Sequence, residues 1–540
     1  MNVDFGNRLT TCEKYLAEVS QSMDSQNSYN TYLTKLFAVL KRGKVYTTKF
    51  PRYAVSTSPT GIKCDDNEGM VIVPSTNVSK NRNDYDDEPM FHPYECNWKL
   101  DDKGNIIITS LQGFDSKFAR DGSNGQVGIV NMPWYVKTWT DDNYWYISVT
   151  DTALDGYKLL GECIMPDGSE QGFMVHSKYA MGAYKIGDEY YPYSASGLKP
   201  QSGENTAKNT TVRPSYSSLI SYCHKLGSSY CAETSNDLFF IQLQFLIKYA
   251  TTNSQSALRG CSDYYYTYPI VSGQTNTAGI ILSTGNANNL VIGSRISVGS
   301  DNVDSGVAAM HDHAWSAKVI SKTPLADDST KTLVTLDCDP MDTDTSMFVR
   351  TMPWWTGACD NVQGTDGSPS SVSNGKEPYV IGGIECQLGG FEILGNVVMD
   401  IQTGENAQIR RDVYICHDAS KLTTDISTIR STWEKSPYSI VFGSSSTASG
   451  SYIAAEGIDI DNGIMVPIEF GASTDTGFCD YLWLDYGTSG QREWLAFGGL
   501  SNGSVAGAWY LHADDGLSSA WWDYLSRLSP NGMYGKRAAS

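Results

Sequence analysis

The sequence predicts an α+β, β-rich fold, and three observations carry that expectation. Charged residues are only 19% of the 540 positions, while Gly, Ser, Thr, Asn and Tyr are plentiful. That mixture favours strands and ordered loops over helical bundles. Short β-branched and aromatic runs, bounded by Gly, Asp, Asn or Ser, recur along the chain, and such runs read as strands. Three stretches only carry a helical apolar pattern. A chain of this length holds roughly two to four domains.

Charge and cysteine usage narrow the function classes. Lys plus Arg is 40 against 60 for Asp plus Glu, a formal charge of −20. Such a chain is repelled by phosphate backbones and by anionic bilayers, so nucleic-acid and membrane-surface partners are not expected. The most apolar run, Leu238 to Ala250, is too short to span a bilayer and contains Gln242, Gln244 and Lys248. The first residues, MNVDFGNRLTTCEKYL, lack the apolar core of a signal peptide, so export by that route is not expected. The 12 cysteines include no CxxC, and the nearest pair is Cys223 and Cys231. A zinc ribbon or thioredoxin-type site is disfavoured, and buried free thiols are expected.

Taken in order, TYLTKLFAVLKRG places Leu33, Leu36, Phe37 and Leu40 on one helical face, with Lys41 and Arg42 in the last turn and Gly43 as the stop. Such a helix either packs on its own domain or serves as a docking and oligomerisation element, and residues 1–45 form the expected anchor segment. Residues 46–125 read as a β-rich anchoring domain with strand-like KVYTTKF (beginning at Lys44), GMVIVPS and NIIITSLQGF. Its acidic run Asn81 to Pro89 does not have EF-hand spacing and reads as a solvated loop. From residue 126 the texture changes: VGIVNMPWYVKTW and YWYISVT read as paired strands. In SSLISYCHKLG, Leu219, Cys223 and Leu226 share a face ending at Gly227. SNDLFFIQLQFLIKYATTNSQ starts at Ser235 or Asn236 as N-cap and is apolar nearly all round, so it should be buried. Residues 276–345 read as an inserted β module, and 126–275 plus 346–540 as the principal domain.

Four pieces of that principal domain stand in a telling order: MPWYVKTW (from Met132), the apolar helix ending in TTNSQ, GGIECQLGGFEILGNVVMDI (from Gly382) and GGLSNGSVAGAWYL (from Gly498). Together they resemble adhesin-like proteins of gut-bacterial phages with a C-type-lectin-like fold. That fold is related to the formylglycine-generating-enzyme scaffold and to phage tropism determinants diversified by retroelements. The resemblance spans residues 126–540 apart from the inserted module. Its frame here is Gly498, Gly499, Asn502, Gly503, Ser504, Ala506, Gly507, Tyr510 and the triplet Ser526-Arg527-Leu528. Members of the group often carry Asn where this chain has Val505, His512, Asp514, Asp515, Ser519 and Asp523. Each of these is one that adenine-directed mutagenesis of an Asn codon yields, whereas Trp521 and Trp522 are not. The chain departs from the group at Leu388, where a Trp is usual.

The resemblance implies a virion adhesin whose C-terminal surface touches the host. Gly and Ser allow close loop packing while Trp and Tyr offer flat contact area, the residue logic of binding loops. The expected ligand-binding residues are Leu500, Ser501, Val505, His512, Asp514, Asp515, Ser519, Trp521 and Asp523, with Trp509 and Tyr510 assigned to the core. The expected partners are a host cell-surface glycan or protein, and other virion proteins through the N-terminal region. A homotrimer is implied, by analogy with related tropism determinants. Tail tip and capsid surface are both open as locations. No P-loop or HExxH occurs, and no catalytic residue, cofactor or metal is expected. His311-Asp312-His313 is the one close His pair, read as surface imidazoles. The alternatives are a capsid-decoration, head-fibre or tail structural protein, and a glycan-degrading enzyme with paired carboxylates.

Overall fold

The computed structural model describes residues 28–53, 55, 58–200, 214–302, 307–403, 408–444, 449–484 and 489–534. Residues 1–27, most of the expected anchor segment, lie outside that set, as does Cys12. Strands take up 42% of the described residues and helices 15%, so the fold is α+β and β-rich.

Two antiparallel sheets are built from the first third of the chain. One orders its strands Ile62–Asp65, Val45–Pro51, Tyr144–Thr150, Tyr135–Thr140 and Lys158–Leu159. The other runs Ile106–Leu111, Tyr94–Leu100, Gln126–Asn131 and Met174–Ser177. Val45–Pro51 pairs with Tyr144–Thr150, and Tyr94–Leu100 with Gln126–Asn131. The boundary expected at residue 125 therefore falls inside both sheets, because strands on either side of it satisfy one another's backbone groups. The segment GMVIVPS forms only isolated bridges at Ile72 and Ser75, leaving Val71 and Val73 exposed. The acidic run is spent internally. Asn83 caps the turn Asp84–Asp87, Arg82 pairs with Asp84, and Glu88 bonds Arg42, Lys44 and Tyr46.

The helix Ser28–Leu40 buries Leu33, Phe37 and Leu40 in the same core as Trp98, Ile106 and Ile108. Asn30 locks it to the sheet, donating to Ile106 O at 2.6 Å and accepting from Ile108 N at 2.9 Å. Its apolar stripe is thus covered by its own chain.

A helix buried on every side, Ser235–Gln244, forms the pillar of the molecule. Its N-cap is Thr234, one residue before the expected start, in a reciprocal capping box with Asp237. A π-turn, Phe245–Tyr249, continues it and ends at Ala250 in the left-handed region, φ 49°. Lys248 is tolerated in this core because it meets Asp366 at 2.6 Å, both side chains being 1% exposed. The helix SSLISYC is shorter than its apolar pattern suggests. It ends at Cys223, and Leu226 follows in a turn before Gly227.

Around the pillar curls the largest sheet, ordered Glu434–Ser444, Gln408–Ile415, Phe391–Thr403, Gly490–Phe497, Gly507–Ala513, Tyr481–Leu484, Ser449–Asp459 and Ile464–Phe470. Its first and last strands come back beside each other, so it is nearly closed like a barrel. The inserted module has a six-stranded sheet running from Thr267–Pro269 to Phe348–Met352, wider on both sides than the expected 276–345. Its core is its own, with Ile280, Ile296, Val319, Val334 and Val349 fully or nearly fully buried. All eleven described cysteines are free, nine of them buried.

Candidate functional site

The strand Gly507–Ala513 organises the C-terminal face. It pairs antiparallel with Gly490–Phe497 and parallel with Tyr481–Leu484. Trp509, Tyr510 and Leu511 are buried, as expected for Trp509 and Tyr510, and His512 is half-buried at the end of the strand. Gly507 is required where it stands. Its φ is 146°, and a Cβ there would lie 2.3 Å from an oxygen of Asp480, which accepts from Trp509 N at 2.9 Å. The preceding turn is tied by Asn502, which accepts from Gly499 N at 2.8 Å and donates to the Tyr510 hydroxyl at 3.0 Å.

Polar groups converge beyond this frame. His512 Nε2 lies 3.0 Å from Asp514 and Nδ1 lies 3.5 Å from Asp515. Asp515 accepts from the Tyr524 hydroxyl at 2.5 Å. The Phe391 ring sits among His512, Tyr510 and Tyr524 with centroids 5.4, 6.1 and 5.9 Å away. Burial works against the Asp514 carboxylate, yet the hydrogen bond and charge of His512 hold it below the usual range. Burial pushes the nearby Glu493 well up, and Asp515 adds to that. Burial and then the Asp514 charge raise Tyr510, with smaller contributions from Asp523 and Tyr481.

An aromatic stripe completes the face, and sequence reasoning missed it. Trp483 is the direct cross-strand partner of His512, and Tyr452 of Tyr481. Directly paired residues point to the same side of a sheet. Tyr452, Tyr481, Trp483 and His512 therefore form one row across three adjacent strands, with ring centroids 5.0 Å apart in both Tyr452–Tyr481 and Tyr481–Trp483. Trp483 is 40% exposed. The signal was the alternation in Tyr-Leu-Trp-Leu, whose leucines Leu482 and Leu484 are buried.

The expected site residues divide. His512, Asp514, Asp515 and Asp523 come together around Phe391 and Tyr510. Phe391 N donates to Asp523 O, and Phe391 touches the turn at Gly499. Ser501 is exposed at that turn and Trp521 is 43% exposed, while Ser519 is half-buried in the turn from Gly516. Val505 is half-buried on the short turn Gly503–Val505. Leu500 is not a surface residue. It is 2% exposed and packs with Cys261, Leu388 and Leu525, so burial of its side chain outweighs its place in a loop. Trp522 is buried in the same cluster. His311 is buried against the half-buried Trp315 rather than on the surface, while His313 pairs with Asp312 at 2.7 Å.

Chemically, the face offers flat aromatic area beside acceptors. Among the described residues, His512, Asp514 and Asp515 are the one His/Cys/Asp/Glu group of three whose ligand atoms lie within 4.8 Å of one another, a donor set able to hold a divalent cation. A scan against family models and a search of the curated proteins found no match for this chain.

Proposed function

We propose that this chain is a bacteriophage virion adhesin, with a C-type-lectin-like domain whose C-terminal face binds a ligand on the host cell surface, a glycan in the first instance. The observation that carries the reading is the row of half-buried Tyr452 and Tyr481 and exposed Trp483 running into His512 and Asp514 on a sheet with a dense core. Sugar rings present apolar C–H faces to aromatic side chains and hydroxyls to carboxylates and imidazoles, so one flat row with acceptors at its end suits them. Fixing the row on strands limits the entropy lost on binding. In this reading the N-terminal region attaches to the particle, and a homotrimer multiplies weak single sites into avidity.

Removing one central aromatic anchor costs about 2 kcal/mol of binding, close to thirtyfold. Trp483→Ala is therefore expected to weaken adhesion of the purified protein to host cells about thirtyfold, and His512→Ala by a smaller factor. Both variants should keep the parent's circular dichroism. Undiminished adhesion by folded Trp483→Ala would sink the reading. Loss of particle binding with cell binding intact would instead favour a capsid-decoration role. Among isolates of the same phage, substitutions should concentrate at Ser501, Val505, His512, Asp514, Asp515, Ser519 and Asp523. Leu500 and Trp522 should stay apolar because they are core residues. Sequencing the gene across isolates checks this, and free polar substitution at Leu500 would contradict it.

A further inference from the structure

A second cleft lies where the inserted module meets the rest of the chain. Its volume is about 730 Å³, within the range of small-molecule sites. Arg295, Lys318 and Lys322 line it from the module, and Trp355, Thr356 and Ser196 from the opposite side. None of its lining residues belongs to the C-terminal face.

The charge of this cleft runs against that of the chain. Three cations face it in a protein of formal charge −20. The one carboxylate in its wall, Glu377, is buried and already held by Ser370 at 2.5 Å and Asn374 at 3.1 Å. Asp337 approaches Arg295 at 3.4 Å from a side chain that is 43% exposed, so it neutralises Arg295 only in part. Among the described residues no carboxylate pairs with Lys318 or Lys322. The Lys322 ammonium is fixed by donation to Leu290 O at 2.7 Å.

Arg295 is built in rather than solvated. Its guanidinium stacks 3.7 Å from the centre of the Trp355 ring, and Trp355 is pinned by donation to Ser316 at 2.8 Å. Its side chain is 11% exposed, and its Nε has no acceptor within the protein. Burying a guanidinium with an unsatisfied donor is costly unless an anion completes it. The stacked plane presents a planar fork of the kind that matches a carboxylate with two parallel hydrogen bonds. The facing wall carries Ser196, Thr356 and Asn361; the Ser196 hydroxyl already donates to Asp360 at 2.7 Å and that of Thr356 to Ala195 O at 2.6 Å, so what these two offer a ligand is an acceptor oxygen. The guanidinium already covers one face of Trp355, which leaves little platform for a nucleobase. Cations ringed by hydroxyl-bonding groups suit a polyhydroxylated anion.

We propose that this cleft binds an acidic saccharide, its carboxylate held by Arg295, Lys318 and Lys322 and its hydroxyls by the facing wall. The proposal does not rest on the C-terminal face. Calorimetry on the full chain, with trigalacturonate as probe, tests it. Maltotriose serves as the neutral control and inorganic phosphate as the simple-anion control. Trigalacturonate should bind with one site per chain and weaken as salt rises, while maltotriose should give no heat. Lys318→Gln is exposed enough to leave folding intact and should weaken binding about tenfold, the scale of one charge-assisted hydrogen bond. The double variant Lys318→Gln/Lys322→Gln should abolish it, and Trp483→Ala should leave it unchanged. Absence of trigalacturonate binding, unchanged affinity in the folded double variant, or phosphate binding as tight as trigalacturonate would each overturn the proposal. Failure here leaves the C-terminal face untouched, and a loss of cell adhesion in Trp483→Ala with trigalacturonate binding intact would separate the two sites.

Discussion

Arg527→Met is expected to cost about 3–5 kcal/mol of stability, the usual result of removing one partner from a buried ionic cluster. Arg527, Glu233 and Glu392 all have side chains 0% exposed, with Arg527 at 3.9 Å from Glu233 and 3.5 Å from Glu392. The guanidinium also donates to the main-chain oxygens of Glu385 at 2.8 Å, Ser177 at 3.2 Å and Lys178 at 3.3 Å. Burial first, and then the charge of Glu392, push the Glu233 carboxyl well above its ordinary range, which favours its neutral form. Removal of Arg527 would leave the remaining carboxylate in a dry core and strip hydrogens from three carbonyl groups. Arg527→Lys should recover only part of the loss, because an ammonium does not reproduce the fork. Urea unfolding of the three proteins measures this. A loss below about 1 kcal/mol for Arg527→Met would show that the cluster is not what closes the C-terminus onto the core.

The second large effect is a fall in stability from pH 5 to pH 8. Burial lifts Glu162 to about 7, against which the His176 charge acts only in part. Its two oxygens have no hydrogen-bond partner, and His176 Nε2 is 3.7 Å away. Burial and then Asp360 lift Glu385 to about 7 as well. Glu456 and Asp480 are raised well above their ordinary values, again by burial first. A carboxyl with a raised folded-state pKa holds its proton more tightly when folded than when unfolded. Its contribution is therefore complete below the unfolded value, near 4.5 for Glu162, and is lost as pH rises toward 7. Asp237 works in the opposite sense. Burial opposes its charge, but His176, Ser529 and Thr234 hold it below its ordinary value, so its contribution fades only as pH falls below the carboxylate range. The optimum should lie near pH 5. Glu162→Gln, which needs no proton to be neutral, should match the parent at pH 5 and exceed it at pH 8 by roughly 2–3 kcal/mol. Thermal melts of the two proteins across that range decide it, and parallel melting curves would refute the assignment.

The sequence by itself determined the features that depend on local periodicity and composition. The 3.6-residue stripe of Leu33, Phe37 and Leu40 specified a helix and its buried face. The all-round apolarity of Leu238 to Ala250 specified a pillar inside the core. The mixture of small and aromatic residues after Gly498 specified rigid turns over buried rings, and polar spacing left His512 and Asp514 partly open to solvent. Tertiary structure decided what depends on partners distant in the chain. Leu500 sits in a loop, yet its neighbours Cys261 and Leu388 come from other segments and enclose it. Trp483 gains meaning only when a parallel pairing sets it beside His512. Arg527 stands in the frame triplet of the resemblance, but its ionic role emerges only when Glu233 and Glu392 are folded around it. The cleft of Arg295 exists only because the module closes against Trp355. The reason is that side-chain period is a property of a few neighbouring residues, whereas strand order and loop closure are set by the packing of the whole chain, which no single segment encodes.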